Sequence, residues 1–539
     1  NNTLNTANNT LSVTAHDIAL NNTVNTGTAA VTLIASNGGT IGLGATAGDF
    51  TLSGWELQNI TATGLTIGDT TSGNITVNGI TAANSNNISG TTSLVATKDN
   101  TSITFTGSAS TFNALSASAD DGITVSQNIT TDTGNLALDG DADNAADTND
   151  NIAVAAGLTL TSAGSITLDA TTGNIAGAGA LTLNAAGGVT LNDGLTTAGA
   201  TVIDADTNDN GSGTFSISAA KALSTTGNTL SITADDITIT GTINSGAAAT
   251  TILVSDGGTI GLGATAGNMT ISGAELQNIT ATGLIVGDTT AGSITVNGIT
   301  AANSNNVSGT TSLVAGGNGA IVTFATAAST FNALSASGDD RVVVDVAITT
   351  DTGNLALDGD LDNAADTNDN VAIAAGLTLT SAGSITLDAT TGNITGAGAL
   401  TLNAVGGVTL NDSLTTAGAT VIDADTDDNG AGTFTLAASK ALSTTANTLS
   451  ITADDIALSG TVNTAGSTTT LLVSDGGTIG LGATAGNMTI SGAELQNITT
   501  TSLVIGDTTS GNITVDGITA ANSNNISGTL TLNATAAGA

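Results

Sequence analysis

The sequence predicts an all-β protein built as a parallel β-helix, a solenoid in which short strands stack coil upon coil. Three observations predict this fold class. The sequence repeats itself at two nested periods. Its apolar residues alternate with small polar ones in short runs bounded by turn-forming residues. Its apolar content is almost entirely aliphatic, with one Trp, seven Phe and no Tyr in 539 residues.

The longer period is 219 residues. The string GGTIGLGATAG begins at Gly38 and returns at Gly257 and Gly476. This spacing predicts three consecutive segments of one continuous solenoid, with no independent globular domain. They are two complete copies at 1–219 and 220–438 and a partial copy at 439–539.

The rare residues are replaceable within these copies. His16 aligns with Asp235, and Trp55 aligns with Ala274, which argues against a catalytic role for either. No polar capping element is recognisable at either end. Because solenoids need caps to protect their terminal coils, we expect the natural protein to continue in both directions.

The shorter period is about 20–23 residues. The runs Leu158–Leu160 and Ile166–Leu168 return 23 residues later as Leu181–Leu183 and Val189–Leu191. Apolar and polar residues alternate in each run, which is typical of a strand with one buried face. Gly, Asn and Asp between the runs favour turns. About three strands per period predict one coil of a parallel β-helix. No segment shows a 3.6-residue apolar stripe.

The charge is strongly asymmetric. Forty-four acidic residues face four basic ones, which gives a formal net charge of −40. Phosphate recognition requires clustered Lys or Arg, so nucleic acid is excluded as a partner, and an anionic membrane surface is excluded for the same reason. No apolar run reaches transmembrane length. All but three of the acids are Asp, which places the charge in turns.

Segments such as ELQNITATGLTIGDTTSGNITVNGI (Glu56–Ile80) and AGALTLNAAGGVTLNDGLTTAGA (Ala178–Ala200) resemble the filamentous-haemagglutinin-like large bacterial exoproteins. The resemblance covers most of the chain and depends on its strand-and-turn pattern. It implies a right-handed parallel β-helix at the bacterial cell surface or in the secreted fraction. It also implies roles in adhesion, aggregation or matrix formation, and it supplies no catalytic residues.

Two Asp-rich loops, each present twice, are candidate Ca²⁺ sites, because oxygen ligands at alternate positions suit this hard cation. The first loop is Leu138–Asn151, repeated at Leu357–Asn370, and the second is Asp204–Gly213, repeated at Asp423–Gly432. The candidate ligands of the first loop and its repeat are Asp139, Asp141, Asp143, Asp147, Asn149, Asp150, Asp358, Asp360, Asp362, Asp366, Asn368 and Asp369. Those of the second loop and its repeat are Asp204, Asp206, Asn208, Asn210, Asp423, Asp425, Asp427 and Asn429.

Neither loop is an EF-hand, because the closing bidentate Glu is missing. The alternative interpretation is a solvated Asp/Asn turn on the outside of the solenoid. We favour the first loop because more carboxylates converge there. Glu56, Glu275 and Glu494 share one repeat position, and we interpret them as structural residues that bind neighbouring backbone N–H groups.

The predicted function is that of a structural repeat region in an extracellular bacterial fibre or adhesin. It would form a stiff rod that self-associates into filaments or bundles. One alternative is a multivalent adhesin that binds host or neighbouring-cell glycans, although the sequence offers no aromatic platform for sugars. A polysaccharide-active β-helix enzyme is disfavoured, because Arg341, the only Arg, has no basic neighbour and aligns with Gly122.

Overall fold

The computed structural model describes residues 3–365, 368–536 and 538–539. Strands make up 48% of the chain and helices 7%, and the long sheets contain only parallel pairings. The predicted all-β class is therefore confirmed, as is the parallel arrangement of the strands. The chain divides into two compact units, Asn1–Asp256 with Asn278–Thr282, and Gly257–Gln277 with Gly283–Ala539.

In the first unit, the strands between Thr91 and Val254 belong in turn to three parallel ladders, always in the same order; we call this order the rotation. Each strand therefore pairs with the third strand after it. We call one pass through the three ladders a coil. Ladder one contains Leu11–Ala15, Ala30–Ala35, Gly64–Asp69, Thr91–Ala96, Ala114–Ala119, Leu136–Asp139, Ile166–Asp169, Val189–Leu191, Thr214–Ile217 and Asp236–Ile239. Ladder two contains Ile41–Gly44, Phe50–Leu52, Ile75–Asn78, Ile103–Phe105, Ile123–Val125, Ile152–Val154, Ile175–Gly177, Leu195–Thr197, Ala222–Ser224, Thr242–Asn244 and Ile279–Thr280. Ladder three contains Ser110–Phe112, Ile129–Thr131, Leu158–Ser162, Leu181–Ala185, Thr201–Asp204, Leu230–Ala234 and Ala249–Val254, and a small sheet contains Leu4–Asn5, Val24–Asn25 and Ile60–Thr61.

The second unit follows the same rotation from Ile321 to Leu458. Its ladder one contains Gly283–Asp288, Thr310–Ala315, Ala333–Gly338, Leu355–Asp358, Ile385–Asp388, Val408–Leu410, Thr433–Leu436 and Asp455–Leu458. Its ladder two contains Ile260–Gly263, Met269–Ile271, Ile294–Asn297, Ile321–Phe324, Arg341–Val344, Asn370–Ile373, Asn393–Gly396, Leu414–Thr416 and Ala441–Ser443. Its ladder three contains Ser329–Phe331, Ile348–Thr350, Leu377–Ser381, Leu400–Ala404, Thr420–Asp423 and Leu449–Ala453. The long strand Thr461–Val473 pairs with both of these ladders and is followed by Ile498–Ile505 and Leu530–Leu532, and a small sheet contains Ile479–Gly482, Met488–Ile490 and Ile513–Asp516.

The core consists of aliphatic columns. Because the ladders are parallel and in register, residues that face inward in one coil stack on their equivalents in the next. In ladder two one such column runs through Ile75, Ile103, Ile123, Ile152, Ile175, Leu195, Leu223 and Ile243. Each of these side chains is at most 1% exposed. Burial of one such side chain contributes about 1.5–3 kcal/mol, so replacing Ile152 with Ala would cost about 2–5 kcal/mol.

Short helices interrupt the strands at one place in each copy. They are Gly54–Gln58, Ala82–Ser85, Gly273–Gln277, Ala301–Ser304, Gly492–Gln496 and Ala520–Ser523, and single 3₁₀ turns lie at Ser36–Gly38, Ser255–Gly257 and Ser474–Gly476. With four or five residues, these helices are too short to show an apolar stripe in the sequence. None of the helices in the described ranges is long and apolar enough to span a membrane.

The repeated Glu residues cap these helices. Glu56 Oε2 accepts a hydrogen bond from Ser53 N at 2.9 Å and forms a capping box, and Glu56 Oε1 accepts from Leu20 N at 3.1 Å. Glu494 repeats the second contact with Leu458 N at 3.1 Å. The carboxylate thus accepts from one backbone donor at a helix start and from another that lies 36 residues earlier in the chain. The predicted binding of these Glu residues to backbone N–H groups is confirmed.

Candidate cation-binding corners

Acidic side chains of the first unit gather where the strands of ladder one end and the chain turns towards ladder two. Asp99 and Asp120 follow two successive strands of this ladder, and the loop 140–151 follows the third. Because parallel strands in register end at one edge, turns that are far apart in sequence become neighbours. We call this region the first corner, and it consists of Asp99, Asp120, Asp141, Asp147, Asp150 and Thr172.

The outer part of the first corner is a cluster of three carboxylates. Oxygen atoms of Asp99, Asp120 and Asp147 all lie within 4.8 Å of one another. Asp120 is buried, at 2% exposure, whereas Asp99 and Asp147 are exposed. Asp120 Oδ2 is fixed by Asn100 N, which donates to it at 2.7 Å. The cluster could hold a metal ion. Its three residues belong to three successive coils.

Like charges crowd this cluster. Desolvation raises the pKa of Asp120, and the charges of Asp143, Asp99 and Asp121 raise it further, against the backbone hydrogen bond from Asn100. Desolvation together with the charges of Asp150, Asp120, Asp143 and Asp99 raises the pKa of Asp147. Mutual repulsion of this kind disfavours the ionised form, and a bound cation would relieve it.

The inner part of the first corner is a pair of buried carboxylates. Asp141 and Asp150 are 1% and 4% exposed. Both bind one residue of the next coil: Thr172 N donates to Asp141 Oδ2 at 2.6 Å, and Thr172 Oγ1 donates to Asp150 Oδ2 at 2.9 Å. The other oxygen of each carboxylate, Oδ1, is buried and has no hydrogen-bond partner among the described residues.

These carboxylates form no ion pair with a basic side chain among the described residues. Within the described part of the chain, the ion pairs are Lys221–Asp193 and Lys440–Asp412, and neither involves a residue of the first corner. A buried carboxylate oxygen without a partner is costly because its hydration is lost without replacement. The first corner therefore combines high negative charge with open acceptor atoms.

The second unit repeats the inner pair. Thr391 N donates to Asp360 Oδ2 at 2.6 Å, and Thr391 Oγ1 donates to Asp369 Oδ2 at 2.7 Å. Asp360 Oδ1 is again buried without a partner in the described residues. The outer cluster differs, since Asn318 stands at the position of Asp99.

The remaining candidate ligands of the first loop lie at its surface or serve its turns. Asp366, the equivalent of Asp147, lies outside the described residues. Asp143 and Asp362 are exposed, and their Oδ1 atoms accept from the backbone N–H two residues on. Asp139 and Asp358 do the same for Asp141 and Asp360. Asn149 and Asn368 instead donate to carboxylates of the preceding coil, Asp121 and Asp340.

The second Asp-rich loop lies at a different edge, where ladder three ends and the chain turns towards ladder one. Here Asp206 is completely buried. Its Oδ2 accepts from Ser255 Oγ at 2.7 Å and from Gly211 N at 3.2 Å, and its Oδ1 accepts from Asn210 N at 3.4 Å. The carboxylate therefore ties its own loop to the turn at Ser255 and has partners for both oxygens.

Three acids that are not among the predicted ligands, Asp209, Asp235 and Asp256, complete this region, which we call the second corner (Asp204, Asp206, Asp209, Asp235, Ser255 and Asp256). Desolvation and the charge of Asp206 raise the pKa of both Asp235 and Asp256. Desolvation also raises the pKa of Asp204, with contributions from Asp209 and Asp206. The candidate ligand Asn208 is exposed, and Asn210 accepts from Ser212 Oγ.

The second unit reproduces this corner. Asp425 Oδ2 accepts from Ser474 Oγ at 2.5 Å and from Gly430 N at 3.1 Å. Asn429 Nδ2 donates to the exposed Asp427 at 2.9 Å, and Asp423 Oδ1 accepts from Asp425 N at 3.3 Å. In both units the polar atoms of the second corner are therefore largely used by the protein itself.

Comparison of the chain with protein-family models, with curated proteins and with solved structures finds no match.

Proposed function

We propose that this protein is the structural repeat region of an extracellular bacterial fibre or adhesin, stiffened by Ca²⁺ bound at its first corner and at the equivalent position of the second unit. The observation that carries the proposal is the fixed rotation of strands through three parallel ladders, present in both units with equivalent aliphatic columns. Such an array is extended by adding coils and requires no unique site. We propose that its coils follow a right-handed path, and a β-helix extended in this way forms a rod.

The distribution of polar residues supports a structural role. Outward positions along the ladders carry mainly Thr, Ser, Ala and Asn, and most acids lie in turns or at the ends of strands. The Glu residues, which could have been catalytic acids, are engaged as helix caps. Arg341 has a buried Nε without a hydrogen-bond partner in the described residues and joins no ion pair there. A polysaccharide-active enzyme would need a carboxylate and a base at one cleft.

Calcium is the cation that suits the first corner. Ca²⁺ takes six to eight oxygen ligands in flexible geometry, and extracellular modules bind it at about 10⁻⁴–10⁻³ M. The outer cluster supplies three carboxylates from three coils, so an ion there would hold the coils together. It would also offset the self-repulsion of a chain with a net charge of −40.

Negative-stain electron microscopy of the purified chain tests the proposal. We expect rods of uniform width in the presence of millimolar Ca²⁺, and lateral bundles if rods associate. As a control, the same sample is imaged after chelation, which should preserve the width of any remaining rods but reduce bundling. Compact globular particles in both conditions would contradict the proposed function.

A further inference from the structure

We propose that Asp141 and Asp150 form a buried cation site that is separate from the outer cluster of Asp99, Asp120 and Asp147, and that this inner site recurs in the second unit as Asp360 and Asp369. The inference rests on the calcium binding included in the proposed function. It assigns that binding to two kinds of site, which differ in burial and in the residues that form them.

The hydrogen bonds of the inner pair leave one open oxygen on each carboxylate. Thr172 satisfies Oδ2 of Asp141 through its backbone N–H and Oδ2 of Asp150 through its hydroxyl group. Because one residue bridges both carboxylates, the two acids are neighbours. Their Oδ1 atoms are buried without a partner among the described residues. Open oxygens on two neighbouring carboxylates are ligands that suit a hard cation.

A cation is the simplest way to compensate this charge. Two neighbouring buried carboxylates repel each other and have both lost hydration. Elsewhere the protein compensates a buried Asp with a basic residue: Asp193, at 2% exposure, pairs with Lys221. No such pairing reaches Asp141 or Asp150 in the described part of the chain. A bound cation would replace the missing positive charge.

The surrounding atoms favour a hard cation that accepts oxygen ligands. The carbonyl oxygen of Ala145 lies 3.4 Å from Thr172 Oγ1, and this hydroxyl also contacts Asp150. Carboxylate, carbonyl and hydroxyl oxygens are the ligands that Ca²⁺ uses, and its flexible geometry tolerates an irregular set. Mg²⁺ demands near-ideal octahedral geometry, so we expect the inner site to prefer Ca²⁺.

The second unit provides an internal comparison. Residue 142 is Ala in the first copy and Leu361 in the second, yet Asp360 and Asp369 bind Thr391 as Asp141 and Asp150 bind Thr172. Asp360 Oδ1 is again buried and open. The inner arrangement therefore persists where the outer cluster changes, since Asn318 replaces Asp99.

The inner and outer sites share one point of contact. Asp147 N donates to Asp150 Oδ2 at 2.5 Å, while the side chain of Asp147 belongs to the outer cluster. An ion at the inner pair would therefore fix the backbone from which the outer ligand projects. We expect the inner site to fill first and to favour binding at the outer site.

Calcium titration calorimetry of the metal-free chain tests the proposal. Asp141→Asn keeps the shape of the side chain and should lower the number of bound Ca²⁺ ions by one at least. Asp141→Asn combined with Asp360→Asn should remove two or more. Asp99→Asn should remove only the outer ion, and Asp132→Asn, at an exposed turn position outside both corners, should remove none. An unchanged ion number in Asp141→Asn would overturn the inner site.

The outcomes separate this inference from the proposed function. A chain that forms rods but binds no Ca²⁺ overturns the inner site and leaves the fibre standing. A chain that loses one ion per inner substitution but forms no rods supports the site and contradicts the fibre. If Asp141→Asn does not fold, crystals of the unmodified chain soaked with Tb³⁺ give the answer. An anomalous peak about 2.3–2.6 Å from Asp141 Oδ1 and Asp150 Oδ1 supports the site, and its absence there overturns it.

Discussion

The two Asp-rich loops have similar sequences, but their buried carboxylates differ in their hydrogen bonds. In the second corner, the buried Asp206 has partners for both oxygens, supplied by Ser255, Gly211 and Asn210. In the first corner, Asp141 and Asp150 each keep one buried oxygen without a partner among the described residues. The difference shows that acidic composition alone does not identify a cation site. What matters is whether the fold uses the carboxylate oxygens or leaves them open.

Removal of Ca²⁺ should have the largest effect, and it should act through the first corner. In millimolar Ca²⁺, at about ten times a dissociation constant of about 10⁻⁴ M, one site contributes about 1.4 kcal/mol, and the outer and inner sites together contribute a multiple of this. We expect chelation to lower the melting temperature measured by circular dichroism. A chain whose melting temperature is the same in millimolar Ca²⁺ and in chelator would contradict the assignment of the first corner.

Asp206→Ala should have the next largest effect, and it should not depend on Ca²⁺. The substitution leaves Ser255 Oγ and the N–H of Gly211 without their acceptor, and a hydrogen bond to a charged group contributes about 1.5–3 kcal/mol. We expect a loss of about 3 kcal/mol in the free energy of unfolding, with and without chelator. Asn208→Ala, an exposed position in the same loop, is the matched control. A loss that appears only in Ca²⁺ would mean that this corner is also a cation site.

Exchange of the outer ligand between the copies should have a smaller effect. Asn318→Asp supplies the second unit with the carboxylate that Asp99 provides in the first, and we expect it to add one bound Ca²⁺ ion in calorimetry. A gain of about 1 kcal/mol raises the melting temperature of a large domain by roughly 2–4 °C. The reciprocal Asp99→Asn should remove one ion. If Asn318→Asp lowers the melting temperature in Ca²⁺, the added negative charge is not compensated by a bound ion.

The pH dependence of the metal-free chain should be the smallest effect. In the second corner, the pKa values of Asp204, Asp235 and Asp256 are raised above the ordinary value of 3.8. The folded state then binds more protons than the unfolded state above pH 3.8, so stability should increase as the pH falls towards that value.

Below pH 3.8 the sign reverses. Hydrogen bonds from Thr40 lower the pKa of Asp49, and those from Thr509 and Ser510 lower the pKa of Asp507 against desolvation. The stability that these carboxylates contribute is lost as the pH falls through their lowered pKa values. Melting curves in chelator should therefore show a maximum near the ordinary pKa of Asp. A steady decrease in melting temperature from pH 7 downward would contradict this balance.

The ladders could be predicted from the sequence because their signal is local. Alternation in runs such as Leu181–Leu183 and Val189–Leu191 places the apolar residues on one face, and the structure stacks them. The short helices could not be predicted in this way. Their ends depend on single capping contacts, such as that of Ser53 with Glu56.

The corners were predicted only in part, because a motif within one loop does not show what neighbouring coils contribute. Asp147, Asp141 and Asp150 stand in the predicted loop, but Asp99 and Asp120 come from the two preceding coils. In the second corner, Asp235 and Asp256 were missed for the same reason. The register of the ladders supplies the missing signal: Asp120 directly follows the strand Ala114–Ala119, and Asp99 lies three residues after the end of the aligned strand Thr91–Ala96.

The rotation through three ladders has a consequence for how the chain acquires its structure. Each strand finds its partner a short distance back along the sequence: Ile123 pairs with Ile103, and Leu195 pairs with Ile175, 20 residues earlier in each case. No pairing in this rotation, among the described residues, has to wait for a remote segment to be synthesised. We therefore expect folding to proceed one coil at a time from a coil that has already formed. The rate per coil should not depend on the number of coils.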